Sequence, residues 1–216
     1  MMRVDIWSDY VCPWCYIGKR ELDNAVQGAG MEDQVYIEYH AFELNPDAPT
    51  EQTLLFYDHL QEKRGVTLEE AKQSMEQVVE RAASLDLDYH FENLYQQNTH
   101  KAHRLAEYAR EMGKAEAYHG RLFHAIFTEN DFLSDTKNLV KLGEDIGLDA
   151  DEVRRIVEDK EAYTEEVEQD KSYAERLGIQ RVPFYIFNNR YSVSGAQPQE
   201  VFEELLEKVA QELNLK

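Results

Sequence analysis

An α/β fold with a large all-helical insertion is predicted by three features of the chain. Strand-type runs lie near both ends, helical periodicity fills the stretch from about residue 51 to 178, and the resulting order is β-α-β, a block of helices, then α-β-β-α. Val4-Asp5-Ile6-Trp7 alternates as a short strand does. Ser8-Asp9-Tyr10-Val11 reads as a loop, and Pro13 suits the first turn of a helix whose apolar face is Ile17, Leu22, Ala25 and Val26. Gly28 and Gly30 end that helix. Residues 35–42, rich in aromatic and β-branched side chains, form the second strand, and Asn45-Pro46-Asp47-Ala48-Pro49 breaks it.

In the middle block, Leu68, Ala71, Met75, Val78, Val79 and Ala82 recur at helical spacing behind a capping box of Thr67 and Glu70. Ala102, Leu105, Ala106, Ala109 and Met112 make another face, as do Tyr118, Leu122, Phe123, Ile126 and Phe127. A further helix begins near Asp149 and Glu152. The apolar run 182–187 then fits a buried strand, Asn188-Asn189-Arg190 a turn, and 191–194 the returning strand. Pro198 opens a last helix with Val201, Phe202, Leu205, Leu206, Val209 and Leu213 on its apolar face. The division that follows is residues 1–50 with 164–216 as the α/β part and 51–163 as the inserted helical domain.

Composition narrows the function classes. The 216 residues are 43% hydrophobic and 11% aromatic, which argues against disorder. A formal net charge of −20 repels phosphate, so nucleic acid and anionic membranes are not expected partners. No run approaches the roughly 20 apolar residues of a membrane span. Asp5 and Asp9 interrupt any apolar signal region, so the expectation is a soluble, cytoplasmic protein.

The two cysteines sit three apart in Cys12-Pro13-Trp14-Cys15. A disulfide scaffold uses many scattered cysteines and is excluded. Half of a zinc site remains as one reading, but there is no second such pair and no histidine close in sequence. Buried structural thiols are another reading, though two thiols bracketing a proline in a turn fit it poorly. The third is a redox dithiol, which needs one exposed thiolate, a partner within disulfide reach and a group that stabilises negative sulfur. Cys12 at a helix N-terminus has the backbone N–H groups and the macrodipole for this, and Cys15 lies one turn inside. Cys12 is then the attacking thiol and Cys15 the resolving thiol.

Pro183, at the mouth of the late strand, suits an ordinary strand start. A cis bond after Val182 would instead bare a backbone edge for an extended substrate. Trp14, in the middle of the dithiol motif beside Pro13, is expected to be exposed and to touch substrate rather than to fill core. His100 and His103 share a helix without an evident carboxylate or cysteine partner, so a satisfied helix-face histidine is the default and metal the lesser reading. The acidic run from Glu158 to Asp170 reads as a solvated helix face.

The strand, dithiol and helix at the start, with Val182-Pro183 before a hairpin, resemble a thioredoxin fold. The helical block between the halves resembles the DsbA-like oxidoreductases. More narrowly, the chain is similar to their FrnE-like branch in residues 8–18, 42–46, 98–105, 178–184 and 193–198. The resemblance implies a thiol–disulfide oxidoreductase with Cys12 and Cys15 catalytic, Pro183 cis, and Pro13, Trp14, Val182 and His103 at the substrate. It implies protein or small-thiol disulfides as substrates, no cofactor beyond the dithiol, glutathione as a possible co-substrate, and a monomer or homodimer. Two departures matter. Trp14 stands where DsbA has histidine, so strongly oxidising behaviour does not transfer. The extra C-terminal cysteine pair of some FrnE-like proteins is missing, which excludes relay to a second dithiol. The rival activity is a glutathione-dependent isomerase of aromatic small molecules, of the 2-hydroxychromene-2-carboxylate isomerase kind; those enzymes typically carry serine where Cys12 stands. A third reading is a non-catalytic client-holding role along the Pro183 edge.

Overall fold

Strand β1 (Met2–Ser8) is paired on both sides. It runs parallel to β2 (Val35–Ala41) and antiparallel to β3 (Phe184–Phe187), and β3 pairs antiparallel with β4 (Tyr191–Ser194), giving the order β2-β1-β3-β4. The parallel pair needs a crossover, which α1 (Pro13–Gly28) supplies. The hairpin turn holds Asn188 and Asn189 at φ of 49° and 55°, the positive region that asparagine tolerates. The computed structural model describes residues 1–215.

Strand alternation sorts the side chains onto two faces. Ile6 lies opposite Tyr185, and Trp7 opposite Phe184. Tyr185 and Phe187 meet Phe202 of α10 (Gln199–Leu213), which packs on α1 and on β1 and β3. Trp7 points the other way, into a cluster with Tyr173, Ala174, Ile179, Val182, Phe184 and Ile186. Tyr173 and Ala174 come from the end of α9 (Thr164–Arg176).

Two compact units result, Met1–Phe42 with Asp170–Lys216, and Glu43–Gln169. Residues 43–50 and 164–169 therefore go with the helices rather than with the sheet. The loop is tied there by Asn98, whose side chain donates to the Pro46 carbonyl at 2.7 Å and whose N–H donates to Pro49.

The helical unit contains α2 (Phe56–Arg64), α3 (Leu68–Gln73), α4 (Glu76–Ala83), α5 (His100–Glu111), α6 (Ala115–Phe127), α7 (Thr136–Asp145) and α8 (Ala150–Glu158), and α9 begins in it. Thr67 and Glu70 form the reciprocal capping box, and Asp149 accepts the Glu152 N–H at 2.9 Å. The continuous helix expected over residues 68–82 is instead two. Ser74 donates its hydroxyl to the Ala71 carbonyl at 2.7 Å, and Met75 N–H bonds three residues back to Lys72, so the ladder tightens and α4 restarts. Arg104 is structural: its guanidinium donates to the carbonyls of Ile156, Val157, Asp159 and Ala162 and so closes the C-terminal end of α8.

His40 of β2 is held from both sides. Its Nδ1 lies 2.6 Å from Asp170 and its Nε2 2.9 Å from Asp5, while the ring stacks on Trp7 at 4.4 Å. Asp170 also accepts the Ala41 N–H, tying α9 to β2. Burial alone would lower the His40 pKa, but hydrogen bonds and charge from Asp170 and Asp5 outweigh it and raise it to about 9. Burial likewise acts to raise the Asp5 carboxyl, and His40 with Arg3 overcome it, so Asp5 titrates below its ordinary value. A histidine pKa raised on folding stabilises the native state fully below the unfolded value near 6.5, and the contribution is lost as pH rises through about 9. The stability difference between the wild-type protein and His40→Gln, read from urea midpoints, should be largest below pH 6.5, up to about 3 kcal/mol, and should shrink towards pH 9.5.

Candidate active site

The dithiol sits where β1 hands over to α1. Cys12 is the N-cap residue in extended conformation, Pro13 occupies the first helical position, and Cys15 lies in the first turn, its N–H donating to the Cys12 carbonyl at 3.0 Å. Proline fits there because a first-turn N–H has no intrahelical partner to lose. The loop is tightened by the Cys12 N–H donating to the Asp9 carbonyl at 3.1 Å.

The second half of the site arrives with β3. The Val182–Pro183 bond is cis. The Cys12 thiol donates to the Val182 carbonyl at 3.7 Å, across 170 residues of sequence. The Pro183 carbonyl in turn accepts the Gly195 N–H at 2.8 Å, which holds the start of β3 against the end of β4. Val182 itself packs against the Trp7 cluster, so the carbonyl beside the sulfur is anchored from the core.

Both cysteines carry free thiols. Exposure of the nucleophile is smaller than the sequence reading required: Cys12 is 6% exposed and Cys15 2%, because the Cys12 thiol turns in towards Val182 instead of pointing outward. Trp14 is 39% exposed, Pro13 half-buried and Pro183 buried. The two thiols stand in different environments. Burial pushes the Cys15 thiol well up, the neighbouring Cys12 adds to this, and the Asp9 N–H and Ser8 hydroxyl pull the other way.

Behind the dithiol, Gly18 is required by a close approach. A Cβ there would collide with the Tyr185 hydroxyl and lie 3.2 Å from Pro183 Cγ and 3.4 Å from Ala196 Cα. Ser8 and Tyr185 are the site residues that sequence reasoning missed. The strand pattern announced Tyr185 as core, and nothing local marked its hydroxyl as lying beneath the active-site turn.

His103 belongs to the helical unit, on α5, where it is buried. His100 pairs not with His103 but with Glu43, Nδ1 to carboxylate at 3.3 Å, a partner 57 positions back in sequence. Glu168 brings a further carboxylate near, the three ligand atoms lying within 4.8 Å of one another.

A strand–dithiol–helix turn facing a cis-proline strand start, on a four-stranded mixed sheet with a helical insertion, defines the chain as a thioredoxin-fold protein of the oxidoreductase type. The family model of the DSBA-like thioredoxin domain matches residues 3–207, and the chain belongs to that family. It is 28% identical over 211 residues to the uncharacterized protein YwbO of Bacillus subtilis, covering 95% of this chain and 96% of that one. A probable DsbA oxidoreductase from Streptomyces coelicolor superposes with a TM-score of 0.91 at 34% identity, covering 100% of this chain and 92% of the other. A 2-hydroxychromene-2-carboxylate isomerase shares the fold, with a TM-score of 0.71 at 18% identity and 99% of each chain covered. Among the described residues, no helix is long and apolar enough to cross a membrane.

Gly18→Ala would ordinarily favour a helix by up to about 1 kcal/mol. Here the sign should reverse, with a loss of about 1–3 kcal/mol in denaturant unfolding, because the methyl has Tyr185 and Pro183 in its way.

Proposed function

We propose that the protein is a thiol–disulfide oxidoreductase of the FrnE-like branch that exchanges its Cys12–Cys15 dithiol with disulfides of proteins or small thiols. The single observation that carries this is the Cys12 sulfur at a helix N-cap, 3.7 Å from the carbonyl that precedes Pro183, with Cys15 one turn behind. The Cys12 thiolate attacks a substrate disulfide, the substrate S–S bond breaks, and a Cys12–substrate mixed disulfide forms while the released thiolate takes up a proton. Cys15 loses its proton and attacks the Cys12 sulfur. The Cys12–Cys15 disulfide forms, the substrate leaves as its second thiol, and two electrons have passed from the dithiol to the substrate.

Pro13, Trp14, Val182 and Pro183 are the substrate-facing set in this reading. Trp14 offers an exposed aromatic surface, and the Val182 carbonyl offers a backbone acceptor to an extended peptide. No cofactor is required beyond the dithiol, and a small thiol such as glutathione resets it. In a reducing cytoplasm, the compartment expected for this chain, the net direction is reduction or isomerisation. Retention of both thiols speaks against the glutathione-dependent isomerase of aromatic compounds.

Cys12→Ser should reduce exchange to the uncatalysed background. Cys15→Ser should accumulate a covalent Cys12 adduct, visible as added mass on the intact protein. Unchanged turnover in either variant, or activity on a chromene substrate that survives in the double variant, would overturn the assignment.

A further inference from the structure

The backbone that faces Cys12 is reached from α9 through a short segment anchored at both ends. Gly178, at φ 71°, ends the helix, and the Ile179 N–H returns to the Ala174 carbonyl at 2.9 Å. Ile179 is buried in the Trp7 cluster, and Val182 packs against the same cluster. Between these anchors stand Gln180 and Arg181, both exposed. The stem of Arg181 is therefore fixed by its neighbours while its head is left in solvent.

Arg181 is joined directly to Val182, whose carbonyl lies 3.7 Å from the Cys12 sulfur. Its Cα is thus about 3.8 Å from that of Val182, close enough for a long side chain to reach a molecule bound on Cys12. Elsewhere the chain's arginines are engaged: Arg3 by Asp5, Arg104 by backbone carbonyls, Arg176 over the Tyr173 ring and Arg190 by Glu212. Arg181 makes no hydrogen bond, ion pair or ring contact among the described residues. In a protein of net charge −20 carboxylates are plentiful, so a guanidinium that meets none of them, next to the reactive sulfur, calls for an explanation. Its planar fork of N–H donors matches a carboxylate in two parallel hydrogen bonds.

We propose that Arg181 selects disulfides carrying a carboxylate a few bonds from the sulfur, holding that carboxylate on its guanidinium while Cys12 attacks. The inference rests on the thiol–disulfide reading and names the substrate chemistry of that same site. Small carboxylated thiols such as glutathione supply such a group, and so does a peptide with an acidic residue beside its cysteine. Arg181 is a specificity-determining residue: it neither gives nor takes a proton, and the sulfur exchange runs as described above. The field of the whole chain repels anions, so the selection acts at contact, inside the roughly 10 Å over which exposed charges are felt in about 0.1 M salt.

The first, bimolecular attack on small disulfides of different charge reads this position in the full-length protein. Ellman's reagent is a dianion, dithiodipyridine is neutral and cystamine is a dication; each reaction is quenched and followed by intact mass. Arg181→Ala should lower the ratio of the Ellman rate to the dithiodipyridine rate about fivefold. Arg181→Glu should lower it about tenfold or more and raise the relative rate with cystamine, while Arg181→Lys recovers part of the wild-type ratio. The gap between wild type and Arg181→Ala should narrow as salt is raised. The Tm should stay unchanged, because the side chain has no partner to lose. Glutathione disulfide and a bridged peptide with glutamate beside its cysteine then tell the sources apart: a loss in Arg181→Ala with the first assigns the carboxylate to a small thiol, and a loss with the second to a peptide side chain. Wild-type ratios in both Arg181→Ala and Arg181→Glu overturn the proposal. So does equal slowing with all three reagents, since Arg181 would then act on the Cys12 sulfur and not on the substrate. Failure of the thiol–disulfide reading looks different: the wild-type protein then forms no Cys12–Cys15 disulfide with any reagent.

Discussion

The pairing of β3 with β1 is the constraint on which the site depends. Cys12 and Val182 are 170 residues apart, and only the antiparallel register that sets Trp7 opposite Phe184 brings them to the same end of the sheet. Once that register holds, the backbone just before β3 must pass the N-terminus of α1, and the Val182 carbonyl faces the sulfur. A slip of one residue would turn Trp7 and Tyr185 to the wrong faces and destroy both packing layers together. The dithiol is thus not a loop feature added to a finished fold; it occupies the point where the central strand, its crossover helix and the returning strand meet.

The same alternation gives the two faces different tasks. On one, Ile6, Ser8, Tyr185 and Phe187 run beneath α1 and α10, and the polar atoms among them lie under the dithiol. On the other, Trp7 stacks on an imidazolium held between two carboxylates, and Asp170 carries the end of α9 onto the sheet. A buried cation with two acceptors is satisfied as long as all three partners stay, and removing one leaves an uncompensated charge. This makes the His40 cluster a strong condition on sheet geometry, and through Trp7 and Val182, on the carbonyl next to Cys12.

A 2-hydroxychromene-2-carboxylate isomerase shares this architecture, and fold likeness at 18% identity says nothing about which chemistry is run. What separates the possibilities is the pair of sulfurs and the groups around each. Two free thiols within one helical turn, Cys12 at the helix N-cap and Cys15 buried behind it, suit a protein that stores two electrons in its own side chains. A scaffold that only activated a bound thiol would have no use for Cys15.

Much of this was determined by local sequence alone. The dithiol before Pro13, the Thr67–Glu70 box, the Asp149 cap and the Asn188-Asn189 turn are each set within a few residues, where side chain and backbone satisfy one another without tertiary help. The α/β class was legible for the same reason, since hydrophobic period is itself a local property. Ser74, by contrast, broke a helix that its neighbours' periodicity favoured, because its hydroxyl competed for a backbone carbonyl. The tertiary structure alone decided the partners of His40, the Glu43–His100 pair, the use of Arg104 as a helix cap, the inward turn of the Cys12 thiol and the orphan hydroxyl of Tyr185. These contacts join residues tens to more than a hundred positions apart. A chain's local pattern says which side chains will be buried, but which polar atoms meet once buried is set by strand register and helix placement.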